Sequence, residues 1–334
     1  MIYEDTLTVG VDLGGTKIEV ALVDATGSVL MRRRLATRVG EGPVVIQSEI
    51  IETVMDLRNR SGAKPAALGI GVAGQVDPVT GTVHFANNLG WREVPIGRVL
   101  GDALGMPVFV TNDVRAATWG EWLYGAGRGC GDIVCLFVGT GIGGGIVSGG
   151  RMLAGCSNTA GELGHITVDL NGPRCNCGNR GCMEALAGGW AIARRARESV
   201  ENDPVAGASM LRKAGGHTEG INTRIVSEAA AEGDPVAAGI LETAARALAA
   251  GAVGLVNAFN PGRLILGGGV IEGLPWLVDR IDEEVHRRAL AVAGAPLQVL
   301  PSQLGNDAGV IGAAIMAMRL LAGEDPEEPE NRRQ

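Results

Sequence analysis

Between residues 7 and 36 apolar and polar positions alternate in three runs, LTVGVDL, KIEVALVD and SVLMRRRLA, separated by Gly14-Gly15 and by Ala25-Thr26-Gly27. A period of two predicts strands, and three in succession with no helical stretch between them predict a meander. From 43 to 58 the spacing changes to that of a helix, with Val44, Ile50, Ile51, Val54 and Leu57 on one side. A buried strand is expected at 66–74, a helix at 96–104, and a strand at 107–111 that runs through Asn112-Asp113 into a further helix. The stretch 133–150, IVCLFVGTGIGGGIVSGG, is again strand, glycine turn, strand. Residues 161–184 gather His, Cys and Glu with little periodicity. Helices are expected beyond them at 183–200, 221–232 and Pro235–Phe259, then a strand at 263–269, a helix at 274–290, a short strand in PLQVLPS and a last helix at 307–321.

Aligning DLGGTKIEVALV with FVGTGIGGGIV places a glycine reversal at the same point between two β-branched runs, which points to an internal duplication. Two β/α units in succession suggest two lobes, and ligands in such folds bind in the crevice between lobes. The chain has 334 residues, a length that fits about two domains of ~150. Its 53 glycines are more than twice the usual ~7%. With only 14 prolines and no three-residue period the chain is not collagen-like, and recurrent aliphatic runs exclude disorder. Aromatics make up 3%, so the core must be aliphatic.

The net charge of -8 argues against nucleic acid as the main partner. Arg32–Arg34 reads as a solvated strand or turn. The apolar stretch 247–256 is half the ~20 residues a bilayer helix needs, and the first residues carry acid where a signal peptide carries base. A cytoplasmic protein with no membrane partner is expected.

Three readings compete for the glycine turns. Residues 10–17, GVDLGGTK, approximate a P-loop, but a strand pattern follows where a P-loop opens a helix. GTGIGG at 139–144 satisfies GxGxxG, yet again a strand pattern follows. The third reading is a pair of hairpin turns whose backbone N–H groups wrap nucleotide phosphates, with glycine required for close approach and for positive φ. Asp12, just before the first turn, can hold Mg²⁺ through water.

His165, Cys175, Cys177 and Cys182 have the donor types and spacing of a closed, tetrahedral, structural Zn²⁺ site, with Gly178 and Gly181 letting the loop fold back. A disulfide does not suit the compartment. Cys130, Cys135 and Cys156 lack such spacing and read as buried small hydrophobes.

DLGGTK at 12–17, GTGIGGG at 139–145 and CNCGNRGCMEA at 175–185 resemble the ROK family of sugar kinases and repressors, within the actin/hexokinase/Hsp70-like superfamily. The resemblance covers about residues 7–320. It implies an α/β fold, two-lobed, actin/hexokinase-like (ribonuclease H-like) and duplicated, with an interlobe cleft. The expected divisions are a smaller lobe of 1–111 plus 308–322, a larger lobe of 112–307 carrying the zinc loop, and a disordered acidic tail at 323–334.

For the residues, the resemblance implies the following. Asp113 is the catalytic base at a strand-to-helix junction, although Asn112 and Asp113 are equally suited to capping that helix. Asn112, Asn88, Glu162, His165 and Glu184 contact the sugar, and Ala73-Gly74 approach it with backbone. His165 is shared between zinc and a sugar hydroxyl. Gly14, Gly15, Thr16, Thr140 and Gly141 hold the phosphates with Mg²⁺, Lys17 adds charge or faces solvent, and Gly267 and Gly268 lie at the adenosine. The implied activity is ATP-dependent phosphorylation of a hexose, glucose at its 6-hydroxyl, by a homodimer or homotetramer. Other hexoses and a polyphosphate donor are alternatives. A repressor role would need a DNA-binding domain, and only eleven residues precede Asp12.

Overall fold

A computed structural model describes residues 6–324 and divides the chain into two compact units. The first comprises residues up to 130, 149–161 and those from 303 on; the second comprises 131–148 and 162–302. The expected tail lies, from residue 325, outside the described residues.

In the first unit the expected meander forms as β1 (Thr8–Leu13), β2 (Lys17–Val23) and β3 (Val29–Ala36). Helix α1 (Pro43–Ser61) leads to β4 (Ala67–Val72). Three short strands, β5 (Gln75–Asp77), β6 (Thr82–Ala86) and β7 (Trp91–Val94), make a small separate sheet. Helix α2 (Ile96–Leu104), β8 (Val108–Asn112) and α3 (Asp113–Tyr124) follow. The main sheet has the order β3-β2-β1-β4-β8, antiparallel across the meander and parallel from β1 to β8.

Alternation along β1 decides which layer each face meets. Val9, Val11 and Leu13 join Ile46, Ile50, Val54 and Leu57 of α1 in an aliphatic core, each buried side chain contributing about 1.5–3 kcal/mol. The opposite face presents Thr8, Gly10 and Asp12 to the helix Ala308–Leu321. Gly10 and its register partner Gly69 lie so close to this helix that a Cβ on either would overlap the carbonyl of Val310 or Ala313. Thr8 Oγ1 donates to the Ala314 carbonyl at 2.9 Å. On the helix's other side a Cβ at Gly120 of α3 would come within 2.5 Å of the Ala308 carbonyl. Gly10, Gly69 and Gly120 therefore serve the packing between layers and not a turn. Because α3 is packed in this way, it groups with the first unit, and the lobe boundary expected at 112 falls at 130.

The second unit repeats the device. Ile133–Val138 and Ile142–Ser148 form an antiparallel hairpin, and Arg263–Gly267 and Gln298–Pro301 extend it in parallel. The shared hairpin-plus-parallel-strands arrangement bears out the duplication. The helix Pro235–Phe259 has the bounds expected for it: Asp234 Oδ1 accepts from Val236 N and Ala237 N at 2.9 and 3.0 Å, and Asn260 closes it at φ 46°. By length and composition it is the one described helix able to cross a bilayer, and it is a core helix whose Gly251 packs directly on Met183. Gly239 and Gly254 of the same helix meet no neighbour.

The helix expected at 183–200 is two helices, Met183–Ala187 and Gly189–Asn202, broken at Gly188. The break lets Gly189 N and Trp190 N donate to the carbonyls of Gly139 and Thr140, at 2.9 and 3.0 Å.

Candidate functional site

Each unit carries one glycine turn, built so that carbonyls are tied off and adjacent N–H groups are left over. In the first, Gly14 N donates to the Lys17 carbonyl (3.0 Å), Thr37 Oγ1 to the Gly14 carbonyl (2.7 Å) and Thr37 N to the Thr16 carbonyl (3.0 Å). Among the described residues the N–H groups of Gly15 and Thr16 make no hydrogen bond. In the second turn Gly139 N donates to the Gly141 carbonyl, Ile142 N to Glu184 Oε2, and the helix starting at Gly189 takes the carbonyls of Gly139 and Thr140. The N–H groups of Thr140 and Gly141 are left likewise. Consecutive unpaired N–H groups form a concavity for an anion such as phosphate.

The expected reason for glycine at these turns needs correction. None of Gly14, Gly15, Gly139 and Gly141 has positive φ. Close approach is what demands Gly15 and Gly141, whereas a Cβ on Gly14 or Gly139 would meet no obstacle. A Cβ on Gly15 would stand 2.8 Å from the Asn88 carbonyl, and one on Gly141 would stand 2.5 Å from Glu184 Oε2. At the third glycine turn Gly268 does need its freedom, with φ 88° and the Val138 carbonyl where a Cβ would be.

Around the first turn lies an ion-pair web that the sequence pattern did not reveal. Glu19, directly opposite Asp12 in the hairpin, has a side chain only 1% exposed. It accepts from Arg34 Nη2 at 2.8 Å and Arg32 Nη1 at 3.3 Å, with Lys17 Nζ at 3.6 Å. Arg32 also forks onto Asp307 with two bonds of 2.8 Å. Arg32 and Arg34 are thus tethered rather than simply solvated: alternation puts both on one face, over Glu19. The signal was the match of that face to an acid on β2. Lys17, similarly, turns to Glu19. Asp12 lies against Gly309 at the start of the helix Ala308–Leu321. Burial pushes its pKa up, Glu19 adds to this, and Lys17 and Arg34 oppose it.

Asn112 and Asp113 stand at the junction of β8 and α3. Asn112 is the cap, its Oδ1 accepting from Val114 N and Arg115 N at 3.0 and 3.2 Å while Nδ2 donates to the Gly74 carbonyl at 3.2 Å. Asp113 opens the helix, where the dipole favours a carboxylate. Gly71 makes room beside it, since a Cβ there would stand 3.2 Å from Asp113 Cα. In the first unit, therefore, Ala73-Gly74, Asn112 and Asp113 are brought together, and Asn88 adjoins the glycine turn.

In the second unit the ligand atoms of His165, Cys175, Cys177 and Cys182 all lie within 4.8 Å of one another. Cys177 Sγ and Cys182 Sγ are 3.7 Å apart, and Cys175 Sγ is 3.7 Å from His165 Nδ1. A tetrahedron with metal–sulfur bonds of ~2.3 Å has edges of about 3.8 Å, so the cluster fits a divalent ion and is too open for a disulfide. Burial pushes the Cys182 thiol up to about 12, raises Cys175, and is outweighed at Cys177 by backbone and thiol hydrogen bonds that lower it. Of the other cysteines only Cys135 is buried; Cys156 is exposed, against expectation.

The imidazole of His165 points its other nitrogen, Nε2, toward Glu162 Oε2 at 3.9 Å. Glu162 is half-exposed, with its carboxylate available. Glu184 is held differently: Oε2 accepts from Ile142 N at 2.9 Å and Oε1 from Trp190 Nε1 at 3.2 Å, with Cys175 Sγ at 4.0 Å. Glu184 thus links the second glycine turn to the cysteine cluster.

The ROK family model matches residues 8–319. A glucokinase of Streptomyces coelicolor is 37% identical over 93% of this chain and 97% of its own length. The crystal structure of a ROK family glucokinase from Streptomyces griseus, in complex with glucose and AMPPNP, superposes with a TM-score of 0.80 at 39% identity, covering 94% of this chain and 99% of that one. The xylose repressor of Bacillus subtilis is 28% identical over 91% of this chain, which spans 75% of the repressor. The two glycine turns, the acid at the start of α3 and the His/Cys cluster thus sit in a chain that belongs to the ROK family, among its sugar kinases.

Proposed function

We propose that this sugar kinase transfers the γ-phosphate of ATP to the 6-hydroxyl of D-glucose. The observation that carries the reading is the placement of His165, with one ring nitrogen in the cysteine cluster and the other toward Glu162. His165 Nδ1 and the three thiols would hold a metal ion, which when bound would fix the imidazole tautomer and leave Nε2 free to meet a sugar hydroxyl. Its likeness to a relative solved with glucose and an ATP analogue supports the same substrates.

In this reading Glu162 and Glu184 accept hydrogen bonds from vicinal hydroxyls, and Asn88, Asn112 and the backbone at Ala73-Gly74 bound the ring. Asp113 takes the proton of the 6-hydroxyl as that oxygen attacks the γ-phosphorus. The bond to the bridging oxygen breaks, and glucose 6-phosphate and ADP leave. Gly15, Thr16, Thr140 and Gly141 offer N–H groups to the phosphates, and Gly267 and Gly268 border the adenosine. Asp12, in a buried position that raises its pKa, would hold Mg²⁺ through water, and the ion when bound neutralises phosphate charge. The four-residue cluster would hold Zn²⁺ in a structural role. A homodimer or homotetramer is expected of such a kinase, with no nucleic-acid or membrane partner.

A coupled assay over glucose, fructose, mannose and N-acetylmannosamine, with ATP and with polyphosphate, tests this. Glucose with ATP should give the highest kcat/KM; turnover of the amino sugar alone, or with polyphosphate alone, would overturn the assignment. Salt-dependent, sequence-specific retention of DNA would point instead to the repressor branch.

A further inference from the structure

Arg115 has no part in the chemistry above, yet its side chain is one of the few charged ones buried in the described residues, at 5% exposure. It lies two residues beyond Asp113 in α3. Its guanidinium donates to Asn158 Oδ1, to the Asn158 carbonyl at 3.3 Å and to the Ala160 carbonyl at 3.4 Å. These acceptors belong to the segment 149–161, which is grouped with the first unit although the chain on either side of it belongs to the second. The segment is stapled at one further point and braced within itself. Asn158 Nδ2 donates to the Val76 carbonyl at 3.0 Å, two residues beyond Gly74, and Ala160 N closes a turn on the Ala154 carbonyl at 2.9 Å. Asn158 holds a left-handed φ of 58°, which a side-chain anchor of this kind stabilises. Directly after Ala160 come Gly161, at φ 101°, and then Glu162.

We infer that Arg115 is a positioning residue for the sugar. Its buried guanidinium fixes the strap 154–161 and thereby the point from which the chain enters the Glu162–His165 turn. The inference rests on the hexokinase reading. A planar fork reaching one side-chain oxygen and two carbonyls is a task for arginine; lysine, a single ammonium on a flexible stem, can satisfy only part of it. The role acts on Glu162 and His165, so it should appear in the sugar KM and not in the ATP KM.

The test uses Arg115→Lys, Arg115→Met and Asn158→Gly, the last removing the side-chain anchor while tolerating the left-handed backbone. Each is measured for glucose and ATP kinetics, zinc content and hydrogen exchange across 154–162. Arg115→Met should raise the glucose KM about tenfold, ~1.4 kcal/mol of binding, with kcat changed less and the ATP KM and zinc content held. Arg115→Lys should recover part of the loss, exchange should quicken in the strap, and Arg115→Lys combined with Asn158→Gly should be little worse than the worse single variant. An unchanged glucose KM in a folded Arg115→Met protein, or glucose and ATP KM rising together, would overturn the positioning role while leaving the kinase reading intact. Inactivity of the unaltered protein toward every hexose would overturn both.

Discussion

The glycine turns of the two units have the same outline and opposite support. Around Gly14–Lys17 the backing is ionic: Asp12 and Glu19 face each other across the hairpin, and Lys17, Arg32 and Arg34 converge on Glu19. Around Gly139–Ile142 it is a backbone-and-cluster assembly, with a helix start taking two carbonyls and Glu184 joining the turn to the thiols. A duplicated backbone thus conserves the N–H geometry an anion needs and leaves each copy to find its own means of holding it. The first turn should respond to charge and salt, the second to metal.

The sharpest contrast is chemical. Only the first unit carries the proposed base, so Asp113→Ala should lower kcat by at least ~10²–10⁴-fold while calorimetric glucose binding survives. Undiminished turnover would remove Asp113 from the mechanism.

Next in size is metal dependence. Cys177→Ala, or chelation, should empty the cluster, raise the glucose KM by releasing His165, and lower the thermal midpoint of the second unit. Full zinc content in the variant would contradict the ligand assignment. The sign of the pH effect follows from the thiols. In metal-free protein Cys182, raised to about 12, favours the protonated thiol, so that fold loses stability as pH climbs from the ordinary thiol range toward 12. The metal-bound form needs thiolates and gains as pH rises. The difference in melting temperature between zinc-loaded and chelated protein should therefore widen from about pH 6 to about pH 9; narrowing would count against thiolate ligation.

A smaller effect separates the turns themselves. Gly15→Ala and Gly141→Ala should both weaken ATP binding and raise the glucose KM, the first by pushing on Asn88 and the second, with the larger effect, by displacing the Glu184 carboxylate that is tied to the cysteine cluster. Equal effects on both substrates in both variants would show the supports to be interchangeable. Smallest is Glu19→Gln, expected to cost about 1–3 kcal/mol by weakening charge-assisted bonds from partly exposed arginines. Its effect should shrink at high salt, as the corresponding loss at Glu184 should not.

What could be read from the sequence follows how local each determinant is. Asp234, Pro235 and Asn260 mark both ends of their helix within the chain itself, and the hairpins were legible because alternation and a glycine reversal lie side by side. The break at Gly188 was not, since its reason is the docked turn around Gly139, distant in sequence. β5–β7 are three to five residues long, too short for a period to register. The cysteine spacing gave the metal cluster directly, and the ordering of its atoms agrees. Glu184 was assigned to sugar by resemblance; its bonds to Ile142 N and Trp190 Nε1 depend on contacts no local pattern encodes. Arg32 and Arg34 looked like solvated charge because a strand read alone does not show the acid beside it.

The helix Ala308–Leu321 lies against the face of β1 and β4, and the bond from Thr8 to Ala314 joins residues 306 positions apart. During synthesis the glycine-paved face of the opening strands therefore waits for its cover until nearly the whole chain has emerged, whereas the second unit, ending at Ser302, has all its parts sooner. The order of completion runs opposite to the order of translation, so the first-made unit is the last to close and the one that most needs protection from premature association on the ribosome.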